Sequence, residues 1–105
     1  MRPGSYLGGV IAVFTRYTLN PIFEPEFVRA WTDLKGLWLR SEAVGKAELL
    51  HEASGRYLGL VHWSSEAQWQ EAVNTADPDQ QRLQLKLESL CNRMQLLYTL
   101  PVVVA

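Results

Sequence analysis

The stretch Ser54–Trp69, SGRYLGLVHWSSEAQW, decides how this chain folds. Ser54-Gly55 stands between two apolar-rich runs, the mark of a two-residue hairpin turn. Arg56 to Trp63 is built from the branched and aromatic residues that suit a strand. Ser65, with Gln68 three residues on, makes a capping box and opens a helix. A turn, a strand and a helix start thus follow one another directly.

Upstream, Val44–Ala53 (VGKAELLHEA) is the partner strand of the hairpin. A plain two-residue turn sets Ala53 opposite Arg56, Glu52 opposite Tyr57, Leu50 opposite Gly59 and Glu48 opposite Val61. Alternation then gives two faces. One holds Ala47, Leu49, His51, Leu58, Leu60 and His62. The other holds Lys46, Glu48, Leu50, Glu52, Tyr57, Gly59, Val61 and Trp63. Earlier still, Gly9–Thr18 (GVIAVFTRYT) reads as a strand that is apolar on both faces, ended by Asn20-Pro21. Met1 to Leu7 reads as a lead-in. Between the strands, Phe27, Trp31, Leu34 and Trp38 recur at helical spacing. Pro25 suits a first helical turn, and Glu24 and Glu26 suit the positive end of the helix dipole. This helix is expected from about Pro25 to about Leu39. Gly36 either weakens its interior or marks its end.

Downstream, a short helix from Ser65 to about Asn74 is expected to bury Trp69 and Val73. Asp77-Pro78 caps and starts another, with Leu83, Leu87, Leu90, Cys91 and Met94 as its apolar stripe. Gln95–Val104 (QLLYTLPVVV) is the closing strand, and Pro101 marks an edge because it cannot donate to a ladder. The order β-α-β-β-α-β, with its second helical region split, is the ferredoxin-like arrangement of the α+β class. Helices on one side of such a sheet leave the other side bare. The face with Leu49, Leu58 and Leu60 needs a cover, and a second copy of the sheet is the economical one. A homodimer through the open sheet face is expected.

A chain of 105 residues is expected to form a single domain over residues 1–105. Apolar residues at 48% and charged residues at 20% are ordinary globular composition. A net charge of −1 without a basic run excludes nucleic acid and anionic membrane as expected partners. The lone cysteine, Cys91, permits no internal disulfide and fits a reducing compartment. The apolar run Val10–Phe14 is too short for a signal-peptide core or a membrane span, so the cytoplasm is the expected location.

The combination VIAVFTRYTLNP, EFVRAW and GRYLGLVHWSSEAQW resembles the antibiotic biosynthesis monooxygenase-like group of dimeric α/β-barrel proteins. The resemblance spans about residues 9 to 75. Its most telling feature is a strand that ends in Trp63-Ser64 just before a helix. It implies a ferredoxin-like sandwich that dimerises into an α/β barrel. It implies a pocket inside each protomer, between sheet and helices. The group includes cofactor-free oxygenases of phenolic or quinol substrates and haem-degrading enzymes.

The residues themselves offer a pocket in the same place. Gly59 lies mid-strand between Tyr57 and Val61, with Trp63 on the same face. The missing side chain leaves room beside two aromatics whose polar tips can orient a ligand. Tyr57, Trp63 and Glu48 are the candidate catalytic residues, and Thr15, Tyr17, Gly59 and Trp31 the candidate substrate contacts. The plainer reading makes Tyr57 and Trp63 core aromatics, Glu48 a solvated carboxylate, and Gly59 a space filled by a bulky neighbour such as Trp31.

His51 and His62 have no cysteine or second carboxylate at metal-ligand spacing, so no metal site is expected. No helix here carries a histidine to hold haem, and Thr15 stands where haem degraders of this group place Asn. No cofactor is therefore expected. Two function classes follow. One is a cofactor-independent monooxygenase of small phenol- or quinol-type compounds, which themselves reduce oxygen once deprotonated. The other is a non-catalytic small-molecule-binding or accessory protein on the same scaffold.

Overall fold

The two-residue turn forms as its sequence requires, and it anchors more than the hairpin. Gly55 sits at φ 70°, a left-handed conformation that glycine adopts without cost. Its carbonyl accepts from the Leu19 amide at 2.8 Å. A Cβ on Gly55 would run into the Leu19 carbonyl oxygen and press on the Pro21 ring. The hairpin therefore leans directly on the end of the first strand.

This computed structural model describes residues 9–104, and the lead-in expected over Met1–Leu7 lies outside them. The described residues form strands β1 (Ile11–Thr18), β2 (Val44–Ala53), β3 (Arg56–Trp63) and β4 (Arg93–Pro101). Helices α1 (Glu24–Arg40), α2 (Glu66–Val73) and α3 (Pro78–Leu90) complete the order, with a short 3-10 turn at Pro21–Phe23. The sheet runs β2-β3-β1-β4 with every neighbouring pair antiparallel. This is the expected α+β ferredoxin-like sandwich.

Local chemistry fixes the helix ends. The Ser65 hydroxyl accepts from the Gln68 amide at 3.1 Å and starts α2. The Asp77 carboxylate accepts from the Asp79 and Gln80 amides and starts α3. Asn20 caps the 3-10 turn by accepting from Ile22 at 3.1 Å. Helix α1 runs through Gly36 to Arg40, with Ser41 as its C-cap and Glu42 beyond it at φ 63°. Gly36 thus sits in the interior of α1, where an added methyl would meet little except the Arg40 guanidinium at 3.9 Å.

The register of β2 differs from the expected one. His51 pairs with Tyr57 and Ala53 with Arg56, so Glu52 is an extra residue in a bulge. Lys46 to His51 slip by one position, and a one-residue slip exchanges the faces of a strand. Ala47 pairs with Val61, Leu49 with Gly59, Glu48 with Leu60 and Leu50 with Leu58. Ala47, Leu49 and His51 therefore face the helices, while Glu48 and Leu50 take the open side. The bulged Glu52 receives a two-pronged contact from Arg16, at 2.9 and 3.2 Å, and this interaction holds both carboxylate and guanidinium in their charged forms.

The open side still carries an apolar patch, with a different membership. Phe14, Leu58 and Leu60 are half-buried, and Leu50, Tyr98 and Leu100 are exposed. Phe14 and Tyr98 meet edge to face at 5.9 Å. Leu49 has left this patch and packs against the core. Two expectations at the helical end also change. Strand β4 begins at Arg93, so Met94 belongs to the sheet and Cys91 to the extended link after α3. Val73 is 56% exposed rather than buried, and Trp69 only half-buried. Both stand beside a cleft.

The two glycines make opposite expectations for stability. Gly55→Ala forces a left-handed alanine against a carbonyl and is expected to cost at least about 1–2 kcal/mol. Gly36→Ala is expected to add about 0.5–1 kcal/mol. Urea unfolding of the two variants checks both signs, and equal midpoints would contradict the geometry.

Candidate functional site

The sheet's helix-side face is laid with aromatic side chains, and α1 supplies their partners. Phe27 is fully buried between Tyr17 and Tyr57, at ring distances of 5.1 Å to each. Trp31, Trp38 and Trp63 continue the row, with centroid distances of 6.2 Å and 5.2 Å and edge-on contacts. Helices α2 and α3 do not close tightly over the far end of this row. They leave a cleft of about 260 Å³ between themselves, α1 and the sheet. That lies near the lower end of the roughly 300–1,000 Å³ common for small-molecule sites.

The cleft floor comes from Val13, Thr15 and Tyr17 of β1, Val61 and Trp63 of β3, and Met94 of β4. Leu34 and Trp38 of α1 form the inner wall. Trp69 and Val73 of α2 face Gln84 and Glu88 of α3 across the mouth. The Gln80 and Gln84 amides both donate to the Ala72 carbonyl at 3.1 Å, tying the end of α2 to α3. The walls are thus mostly apolar and aromatic, with a few polar groups placed among them.

Tyr17 is the best-fixed of these polar groups. Its hydroxyl accepts from the Trp31 indole at 3.4 Å. Burial pushes the phenol above its ordinary value, with Trp31 pulling the other way. It stays protonated at neutral pH, as a donor. Glu88 is the carboxylate that lines the cleft among the described residues. Nothing singled out Glu88 in the sequence. It lies one turn after Gln84, beside the Leu83–Leu87 stripe. Many helical carboxylates flank a stripe without meeting a cleft, and only the gap left by α2 makes this one differ.

Of the sequence-derived site residues, Trp63, Thr15 and Tyr17 come together in this cleft. Tyr57, Glu48, Gly59 and Trp31 do not line it. The bulge in β2 carries Glu48 to the opposite side of the sheet, where it pairs with Lys46 at 3.3 Å. Gly59 is covered rather than vacant. A Cβ there would lie 3.0 Å from the Tyr17 ring and 3.5 Å from the Trp31 indole nitrogen. Trp31 is the buried neighbour that, with Tyr17, fills that space.

Tyr57 belongs to a separate cluster at the start of α1. Its hydroxyl donates to Glu24 at 2.7 Å. The same Glu24 oxygen accepts from the Gly55 amide at 3.3 Å and lies 3.3 Å from His51 Nε2. The His51 and Tyr57 rings stack at 4.8 Å. Burial, then the Glu24 carboxylate, push the Tyr57 phenol up to about 12. The Tyr57 hydrogen bond in turn holds Glu24 below the usual carboxylate range. This cluster locks the hairpin turn onto α1. His51 takes part in it, whereas His62 pairs with Lys46 and Ala12 on the open side. Cys91 is a half-buried thiol, pushed up to about 11 by burial and so poorly nucleophilic. Among the described residues, no three His, Cys, Asp or Glu side chains gather as metal ligands. No helix among them is long and apolar enough to cross a membrane.

A four-stranded antiparallel sheet under three helices, with an aromatic cleft between the layers, places the chain among ferredoxin-like α+β folds. Solved structures narrow the fold to that of the antibiotic biosynthesis monooxygenases. A candidate antibiotic biosynthesis monooxygenase from Caulobacter crescentus superposes with a TM-score of 0.79, at 16% identity over 96% of each chain. A second, from Nitrosomonas europaea, gives 0.78 at 9% identity, over 91% of this chain and 92% of that one. SnoaB from Streptomyces nogalater, a cofactor-independent oxygenase, gives 0.70 at 16% identity over 90% and 97%. The ferredoxin-like sandwich implied by the sequence resemblance is therefore the protomer fold found. No protein-family model matches the chain, and no curated protein matches it.

The contacts around Gly59 set the outcome of filling it. Gly59→Val is expected to overpack Tyr17 and Trp31 and cost about 1–3 kcal/mol, read from urea unfolding. An unchanged midpoint would mean that Tyr17 moves aside freely.

Proposed function

We propose that this protein binds a small phenol- or quinol-type compound in the Trp63–Trp69 cleft and oxidises it with molecular oxygen, without a cofactor. The observation that carries this reading is an aromatic-walled cleft with a carboxylate, Glu88, at its mouth. The shared fold with SnoaB, a cofactor-independent oxygenase, supports it.

Each residue has a physical task in this reading. The indoles of Trp63 and Trp69 offer flat apolar surface to a ring compound. Glu88 takes the hydroxyl proton, as a positioned general base does. The resulting anion is electron-rich enough to give electrons to oxygen. The protonated Tyr17 hydroxyl and Thr15 are the donors beside the developing charge. The chemistry balances without another reductant. One oxygen atom joins the ring, the other leaves as water, and the substrate gives up all four electrons on becoming a quinone. Tyr57 and Glu48 take no part, since one holds the α1 start and the other lies across the sheet.

An oxygen electrode tests this with 1-naphthol and 1,4-naphthalenediol, without added metal or flavin. Uptake above the buffer rate is expected, and Glu88→Gln is expected to reduce it at least about 100-fold while ring binding persists. Binding without any uptake would make this a non-catalytic binding or accessory protein. Full activity in Glu88→Gln would remove Glu88 from the mechanism.

The open sheet face belongs to the same proposal. A second copy of this chain covers Phe14, Leu58, Leu60 and Tyr98 and makes a homodimer of two sheets, each protomer keeping its own cleft. The lone half-buried cysteine and near-neutral charge suit a cytoplasmic setting for it. Light scattering at micromolar concentration is expected to give a dimer for the wild type, and monomer or aggregate for Leu60→Asp. A monodisperse wild-type monomer would contradict this arrangement.

A further inference from the structure

Gly59 and Trp31 stand apart from the cleft, yet both close on one side chain of its floor. On the helix side of the sheet, Tyr17 pairs with Tyr57, Thr15 with Gly59 and Val13 with Val61. The Tyr17 hydroxyl lies 3.4 Å from where a Cβ of Gly59 would stand. The ring therefore leans along the sheet by one pair. It leans toward Val13, Val61 and Trp63, the floor of the cleft. Glycine leaves room for this, since the ring edge would be only 3.0 Å from that Cβ.

Trp31 fixes the hydroxyl from the α1 side. Its indole Nε1–H donates to Tyr17 Oη at 3.4 Å. Trp31 is 2% exposed and Tyr17 5%, so water does not compete for this bond. An indole nitrogen only donates, whereas a phenol both accepts and donates. Tyr17 must therefore turn its own proton away from Trp31. The other side chain that hydrogen-bonds Tyr17 is Thr15, which also stands on the cleft floor. The proton is thus left on the cleft side. The Trp31 bond is at the long end of its range, and a bond donated by Tyr17 strengthens the one it accepts.

We propose that Trp31 is a positioning residue for the oxygen of the bound ring compound, acting through Tyr17. Its N–H occupies the phenolic oxygen from behind, so the Tyr17 hydroxyl presents its proton to the cleft. This rests on the cleft being the ligand site. It adds a preference for rings that carry a hydroxyl or carbonyl oxygen over plain hydrocarbon rings of the same shape. It also gives Gly59 a task, which is to let the Tyr17 ring lie far enough along the sheet for its hydroxyl to meet both Trp31 and the cleft.

The test compares 1-naphthol with naphthalene, which differ by one hydroxyl, under anaerobic conditions that prevent turnover. Trp31 is replaced by β-(3-benzothienyl)alanine, which keeps the ring shape and removes the N–H, in the wild type and in Tyr17→Phe. Calorimetry gives the affinities. In the wild type the replacement is expected to weaken 1-naphthol about three- to tenfold and to leave naphthalene unchanged. In Tyr17→Phe it is expected to cause no further loss of 1-naphthol affinity, because the two residues act as one unit. The Trp31 indole resonance is expected to shift with 1-naphthol, but not with naphthalene, and to stay put in Tyr17→Phe. Equal effects on the two ligands, no effect on 1-naphthol, an undiminished loss in Tyr17→Phe, or a Trp31 resonance that ignores 1-naphthol would each overturn the proposal. All four results would leave the cleft as a ring-binding site. Failure of the wild type to bind either ligand would overturn both this proposal and the ligand site itself.

Discussion

The burial of one aromatic row between the sheet and α1 is the constraint on which the rest of this structure depends. Phe27 sits at its centre with no exposed surface, touching Tyr17 of β1 and Tyr57 of β3 at once. Rings of this size dominate core energetics and pack edge to face in preference to flat sandwiches. The row fixes how α1 lies across the strands. Once α1 is placed, the remaining sheet surface beyond Trp38 and Trp63 has to be covered by α2 and α3. These two shorter helices cover it incompletely, and the cleft is what remains.

The two ends of the row do different work. At the α1 start, Tyr57, Glu24, His51 and the Gly55 amide form a saturated polar cluster in which the Glu24 carboxylate has several partners. A site with its hydrogen bonds already made holds structure together and offers little to a ligand. At the other end, Thr15, Gln84 and Glu88 meet an open apolar space. Unspent hydrogen-bonding capacity beside aromatic walls is what a small-molecule site requires. Charge does not distinguish the ends, since both hold a carboxylate. The difference lies in whether the carboxylate is already engaged.

Much of this was legible in the residues. The Ser54-Gly55 turn, the Ser65 and Asp77 caps and the Phe27–Trp31–Leu34–Trp38 spacing are local signals, and all of these elements form where they point. The faces of β2 were not legible. They depend on one extra residue at Glu52, which no local pattern marks because both registers place apolar residues on each side. That single bulge moved Glu48 away from the helices and brought His51 and Leu49 toward them. Trp63, Thr15 and Tyr17 were found because they sit on β1 and β3, whose alternation is regular. Glu88 and Trp38 were missed as site residues for a different reason. A helix stripe shows which residues turn inward, but not where two neighbouring helices fail to meet.

In the proposed function, ligands enter at the Trp63–Trp69 end of the row and not at the Tyr57 end or on the open sheet. Indole and amide resonances in a nitrogen–proton correlation spectrum measure this directly during titration with 1-naphthol under anaerobic conditions. Saturable shifts are expected for the Trp38, Trp63 and Trp69 indoles and the Glu88 amide, with little change at Gly55, His51, Leu58 and Leu60. Shifts confined to Leu58, Leu60 and Tyr98, or to the Glu24–Tyr57 cluster, would contradict ligand entry at this end.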